Sequence, residues 1–217
     1  MSPLTLQGET LLLDARRALV WPAQSAVLVA DTHFGKSAVF RREGLALPEG
    51  SDRDDMARLA AVLSEYAATR LFILGDFVHG ALPRGHHFYA AFNQWRGCLN
   101  AEVHVVLGNH DRHLHTGELA DVHWHDRLHL APFELVHAPP ESSPHYYLCG
   151  HVHPVVKLAT RADALRMPVF WQRDNGLVLP AFGSLTGGYV VDSRAGGQCY
   201  GVGPDAVVPL PGRVRRV

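Results

Sequence analysis

The chain has 217 residues, with 20 Lys+Arg against 21 Asp+Glu, and its apolar (47%) and charged (19%) fractions are those of a globular protein. That length gives room for one substantial core, the composition excludes a mainly disordered chain, and the near-zero net charge excludes a global basic field, so any nucleic-acid binding needs a local patch. Three widely spaced cysteines, Cys98, Cys149 and Cys199, exclude a disulfide framework and a thiolate zinc site and suit a reducing cytosol.

In chain order, Thr10–Leu13 and Ala18–Trp21 read as two short strands around a turn. Val27–Ala30 is a continuous apolar run, the pattern of a strand buried on both faces. The polar cluster that follows, Asp31-Thr32-His33, runs into Gly35-Lys36-Ser37. Gly-Lys-Ser ends the P-loop pattern, but that pattern needs another glycine five positions earlier, where Ala30 stands. The glycine turn that would wrap a phosphate is missing. Asp31 and His33, two residues apart on an extended chain, point to one side instead.

Ser51 reads as an N-cap, and Met56, Leu59, Val62, Leu63 and Tyr66 recur at helical spacing behind it. Arg70–Asp76 is a second buried strand, ending in a carboxylate. His86–Trp95 reads as a helix, and Val103–Leu107 as a third strand, ending in Asn109-His110-Asp111. Beyond about residue 120 the pattern turns to strands: His123–Leu130, Phe133–His137, His145–Gly150, Val155–Leu158, Val169–Trp171, Leu177–Leu179, Tyr189–Val191 and Cys199–Val202. A mixed first half and a strand-rich second half predict an α/β fold in which two sheets pack face to face with helices outside. No linker or repeat divides the chain, so one domain over 1–217 is expected. The start lacks a leader pattern, and no stretch approaches the roughly 20 apolar residues of a membrane span, so a cytoplasmic protein without membrane contact is expected.

Polar residues at strand ends supply the chemistry. They are Asp31 and His33; Asp76; Asn109, His110 and Asp111; His137; and His151 and His153. Oxygen and imidazole donors without thiolates suit hard to borderline divalent cations, and a carboxylate can bridge two of them. Each motif alone has a plain reading, such as a turn or an exposed histidine. His137 has a rival in His145, which also borders a strand. Lys36, Arg41 and Arg42 follow the first motif on a helix, where they either contact phosphate or form a solvated basic face. His113, His115, His123, His125 and His129 make a histidine-rich stretch that reads mainly as surface residues; His123 and His125 share a strand face, and extra metal binding there is the lesser reading.

The series D-x-H, G-D, G-N-H-D, a later H and G-H-x-H, in this order from Asp31 to His153, resembles the calcineurin-like metallophosphoesterase superfamily. The resemblance implies a two-sheet β-sandwich flanked by helices on both sides. It implies that Asp31, His33 and His153 hold one metal, that Asn109, His137 and His151 hold a second, and that Asp76 bridges them. A hydroxide between the metals would attack phosphorus, His110 would assist the leaving oxygen, and Asp111 would orient His110 through a hydrogen bond. Two divalent ions are implied, Mn²⁺ first, with Fe, Zn, Co or Ni also compatible. Many members carry Asn or Asp a few residues after G-D, where this chain has His79. Two longer segments, "ADTHFGKSAVFRREGLALPEG" and "LPAFGSLTGG" (Leu179–Gly188), resemble the bacterial phosphoesterases encoded with a DNA ligase and a DEXH-box helicase. That narrower likeness implies a phosphodiester substrate, DNA in a damage response, and ligase and helicase partners. The competing readings are a small-molecule phosphomonoesterase or nucleotide pyrophosphohydrolase, and a non-catalytic scaffold for such a repair complex.

Overall fold

The computed structural model describes residues 1–42, 44, 50–159, 164–192 and 197–211, without the side chains of Ala38, Arg41, Arg42, Ala159 and Ala164. Two mixed sheets carry the fold. The first contains β1 (Ser2–Leu6), β2 (Glu9–Asp14), β3 (Ala18–Trp21), β4 (Ala26–Ala30), β5 (Arg70–Leu74), β6 (Glu102–Val106) and β7 (Val122–His125), in chain order across the sheet. Its first four strands pair antiparallel and β4 to β7 pair parallel. The parallel connections are made by α1 (Lys36–Arg42) and α2 (Ser51–Glu65) between β4 and β5, and by α3 (His87–Gly97) between β5 and β6.

The second sheet contains β8 (Leu128–Leu130), β9 (Phe133–Leu135), β10 (Tyr146–Cys149), β11 (Pro154–Ala159), β12 (Ala164–Arg173), β13 (Gly176–Val178), β14 (Tyr189–Val190), β15 (Gln198–Val202) and β16 (Val207–Pro209). Its order is β14-β11-β12-β13-β10-β9-β8, with β15 also on β12 and β16 on β15. The ten-residue β12 changes partners along its length, meeting β11 up to Pro168 and β15 from Val169.

Strand alternation divides the core in two. Val27 and Val29 of β4, with Leu71, Ile73, Val103 and Val105, pack on Met56, Leu59 and Val62 of α2 and Phe88 and Phe92 of α3. The alternate positions, Leu28, Ala30, Phe72, Leu74 and Val106, face Phe133, Leu135, Leu148, Phe170 and Leu177 of the second sheet. Both faces of the central strands are therefore dry, which is why they read as unbroken apolar runs. Trp21 is fully buried between the sheets, edge-on to Phe133 at 4.9 Å, and its indole N–H donates to Glu9 Oε2 (2.8 Å).

The two packed sheets with flanking helices are as expected; among the described residues no α-helix follows Gly97, and α2 and α3 pack on the first sheet. The outer face of the second sheet is closed by small apolar clusters around Val136, Tyr147, Cys149 and Val178, and around Val156, Val169, Val191 and Cys199. Several expectations need correction. His123–Leu130 is two strands. Asp126 and Arg127 carry the chain from one sheet to the other, because β7 pairs with β6 and β8 with β9. The N-cap of α2 is Gly50, whose φ of 101° only glycine adopts easily, and Ser51 is the first helical residue. β1 and β16 were not anticipated. No helix of the described residues is long and apolar enough to cross a membrane.

Candidate metal centre

Parallel pairing brings the motifs together. β4, β5 and β6 run the same way, so Asp31, Asp76 and Asn109 leave the same end of the first sheet. β9 and β10 are parallel in the second sheet and deliver His137, His151 and His153 beyond their ends. The loops then bond directly. His33 N–H donates to the Asp76 carbonyl (2.9 Å), Phe34 N–H to that of Phe77 (2.9 Å), and the Thr32 hydroxyl to Phe77 as well (2.9 Å). His151 N–H donates to both Asp31 carboxylate oxygens (3.1 and 2.9 Å), and Gly150 N–H to the His137 carbonyl (2.9 Å).

Two of the motif glycines are there for close approach. A Cβ at Gly75, which also has φ of 77°, would overlap the imidazole of His137. One at Gly108 would overlap the backbone and carboxylate of Asp76. Asp31, His33, Asp76, His151 and His153 all have positive φ, between 43° and 69°. Asp and His enter that region more readily than most residues, yet each such residue still costs of order 1 kcal/mol.

The donor atoms form two groups that share one residue. Asp31, His33, Asp76 and His153 make one, and Asp76, His137 and His151 the other; within each, the candidate ligand atoms lie within 4.8 Å of one another. His33 Nε2 and His153 Nε2 are 3.3 Å apart, His137 Nε2 and His151 Nδ1 3.0 Å, and His137 Nε2 and Asn109 Oδ1 2.9 Å. Donors bound at about 2.1 Å to a common cation stand roughly 3.0 to 3.4 Å apart in octahedral or tetrahedral geometry. Asp76 turns Oδ1 toward His137 Nε2 (3.5 Å) and Oδ2 toward His33 Nε2 (3.9 Å), one oxygen to each group. The donor set and spacing fit a pair of divalent cations.

Ligand imidazoles must be neutral, and the surroundings of His33 and His151 disfavour their charged forms. Burial, with His153 and Lys36 nearby, holds His33 down at about 2. Burial likewise lowers His151, and it raises the carboxyl of Asp31, which is fully buried. The second ring nitrogens have partners. His137 Nδ1 lies 3.4 Å from the Leu74 carbonyl, and His33 Nδ1 lies 3.4 Å from His79 Nδ1. A proton on either Nδ1 leaves the Nε2 lone pair facing the group, the arrangement common behind metal-bound histidines.

His110 sits at the rim, partly exposed, with Nε2 3.9 Å from Asp76 Oδ2 and its ring stacked on His79 at 5.2 Å. Its backbone N–H donates to Asp76 Oδ1 (3.0 Å). Asp111 does not do what was expected of it. Its buried carboxylate accepts from Gly108 N–H (2.8 Å), Phe77 N–H (3.2 Å) and Val78 N–H (3.0 Å) rather than from the His110 ring. Through those three amides Asp111 ties the second motif's loop to the third. Burial pushes its carboxyl up, opposed by the same amides.

Lys36 stands half-buried near His33 and His79, its Nζ 5.5 Å from the Phe40 ring centre, and desolvation lowers its pKa. Arg41 and Arg42 belong to α1, but their side chains lie outside the described residues. His145 pairs with His129 at 4.2 Å between ring centres, away from both donor groups; the register of β9 and β10 selects His137. The Leu179–Gly188 segment backs the first motif. Phe182 N–H donates to the Ala30 carbonyl (2.8 Å) and Gly183 N–H to that of Asp31 (3.2 Å), while Ser184 N–H reaches Asp55 Oδ2 on α2 (2.9 Å). Asp55 and the Arg58 guanidinium, 4.1 Å over the Phe182 ring, are positioning residues that the sequence did not single out; their helical spacing with Met56 and Leu59 was the only local signal.

No protein-family model matches the chain, and neither does any curated protein sequence. Among solved structures, the Pseudomonas putida nuclease MPE is 36% identical over 96% of this chain and 99% of its own, with a TM-score of 0.83. Yfce, a phosphoesterase from E. coli, is 19% identical over 84% of this chain and 90% of its own, with a TM-score of 0.44.

Proposed function

The chain belongs to the family of the Pseudomonas putida nuclease MPE, and from that membership we propose that it is a metal-dependent hydrolase that cleaves phosphodiesters, with DNA as its substrate class. The observation that carries the proposal is the meeting of two donor groups at the carboxylate of Asp76. In this reading Asp31, His33 and His153 hold one divalent cation, Asn109, His137 and His151 hold another, and Asp76 holds both. Mn²⁺ is the proposed ion, and Fe, Zn, Co or Ni suit the same donors. When bound, such a pair supplies positive charge for the attacking and leaving oxygens and a water acidified toward neutral pH.

The chain's own groups do the rest. His110, partly exposed at the rim beside Asp76, hands a proton to, or hydrogen-bonds, the leaving oxygen. Lys36 adds a cation beside His33 where a phosphate would arrive. His79 holds the His33 ring through its Nδ1, filling the place where many superfamily members carry an amide or carboxylate. Asp111 fixes the loops that carry Asp76 and His110. A place in DNA repair beside a ligase and a DEXH-box helicase belongs to the same proposal and rests on the likeness of the two longer segments.

The experiment supplies bis(p-nitrophenyl) phosphate, p-nitrophenyl phosphate and supercoiled plasmid DNA to the chain with Mn²⁺. Cleavage of the diester and of the plasmid, both abolished by chelation, is expected. A preference for the monoester, or turnover that survives metal removal, overturns the proposal. His110→Ala is expected to slow turnover about 100-fold or more with both metals retained.

A further inference from the structure

A second histidine cluster lies on β6 and β7, away from the Asp76 centre and sharing no residue with it. β7 is the edge strand of the first sheet. The parallel register sets Phe72, His104 and His123 side by side, and His125 shares their face two residues on. This is the face that Phe72 and Val106 bury against the second sheet. Near the edge it carries imidazoles where apolar side chains would seal the sandwich. The rings form a ladder: Phe72 to His104 at 4.9 Å, His104 to His123 at 4.7 Å and His104 to His125 at 5.4 Å, all within 25° of parallel.

Two nitrogens in the ladder face each other. His104 Nδ1 lies 3.2 Å from His125 Nε2. Two imidazole nitrogens bound at 2.0–2.1 Å to a tetrahedral cation would be about 3.3 Å apart. The other nitrogen of His104, Nε2, lies 3.6 Å from Glu102 Oε2, the next residue of β6 on the same face. A carboxylate there draws the imidazole proton to Nε2 and leaves the Nδ1 lone pair toward His125, the carboxylate–histidine–metal arrangement. His123 is exposed and stacks on the His104 ring at 4.7 Å, so it flanks the pair and puts no nitrogen between them.

We propose that His104 Nδ1 and His125 Nε2 bind a single borderline divalent cation, Zn²⁺, Ni²⁺ or Cu²⁺, with water completing its coordination and Glu102 fixing the His104 tautomer. An all-imidazole set selects these ions over Mn²⁺ or Mg²⁺, which prefer oxygen donors. The site therefore discriminates differently from the Asp76 centre. It also clamps the edge strand β7 to β6.

The test loads the full chain with Mn²⁺, removes the excess, titrates with Ni²⁺ and counts bound nickel by elemental analysis. Wild type is expected to take up one more Ni²⁺ than His104→Ala or His125→Ala, whatever exchange occurs at the Asp76 centre. Equal uptake overturns the proposal. His125→Phe keeps a ring against His104 and removes the nitrogen, so it answers the question even if the alanine variants unfold; uptake equal to wild type again overturns the site. Glu102→Gln is expected to weaken Ni²⁺ binding about 10-fold or more, and unchanged affinity would overturn the assigned tautomer.

Discussion

Asp111→Asn separates two roles for one carboxylate. In the structure Oδ2 accepts from Gly108 N–H (2.8 Å) and Phe77 N–H (3.2 Å), and Oδ1 from Val78 N–H (3.0 Å). An amide can place its oxygen at only one of these positions. Its NH₂ must then face a buried N–H, and the least damaging choice leaves the Val78 amide unsatisfied. An orphaned buried donor costs about 1–3 kcal/mol, and the two surviving bonds lose the assistance of the charge. The loss should be about 3 kcal/mol. For a chain of this size each kcal/mol lowers the melting temperature by roughly 2–4 °C, so a drop of about 6–12 °C is expected. Urea and thermal unfolding of the metal-free protein measure it, with Asp111→Ala falling further because all three bonds go. If Asp111→Asn melts within about 1 °C of wild type while turnover collapses, the carboxylate acts on the His110 ring and the tie between loops is the wrong reading.

Gly75→Ala places a methyl group in the imidazole of His137 and puts alanine at φ of 77°, a conformation costing about 1–2 kcal/mol. The second cation should bind at least about 10-fold more weakly, with less loss at the first, by calorimetric Mn²⁺ titration; equal loss at both would refute the assignment of His137 to one side. His79→Phe keeps a ring stacked on His110 but removes the nitrogen facing His33, and should weaken the first cation about 10-fold or more; unchanged binding would take His79 out of the site. Asp14 gives a pH test far from the centre. Burial pushes its carboxyl up, but the Arg16 side chain and backbone N–H and the Tyr66 hydroxyl outweigh that and hold it at about 2 against an ordinary 3.8. The folded pKa is the lower, so its contribution of about 2 kcal/mol is complete above pH 4 and is lost as pH falls toward 2. Urea midpoints for wild type should therefore fall over that window more steeply than those of Asp14→Asn; parallel curves would refute the linkage.

The centre was largely legible because most of its motifs follow apolar runs that end where the sheet ends. Asp31, Asp76 and Asn109 close β4, β5 and β6, and the local pattern of an unbroken run followed by polar residues marks that boundary without any knowledge of pairing. His137 was less legible than the rest. Both it and His145 border short strands, and only the parallel register of β9 with β10 shows which imidazole reaches Asp76. For Asp111 the resemblance implied a bond to the His110 ring, whereas its partners are the Gly108 amide and two amides of a loop some thirty residues away in sequence. The split of His123–Leu130 between two sheets, the branching of β12 and the placement of α2 and α3 on the first sheet depend on long-range pairing, which periodicity does not report.

Five of the side chains that converge on Asp76, counting its own, hang from left-handed backbone. Exchanging any one of them for glycine would relax its backbone and delete its donor at the same time, so stability and function pull in opposite directions at these five positions.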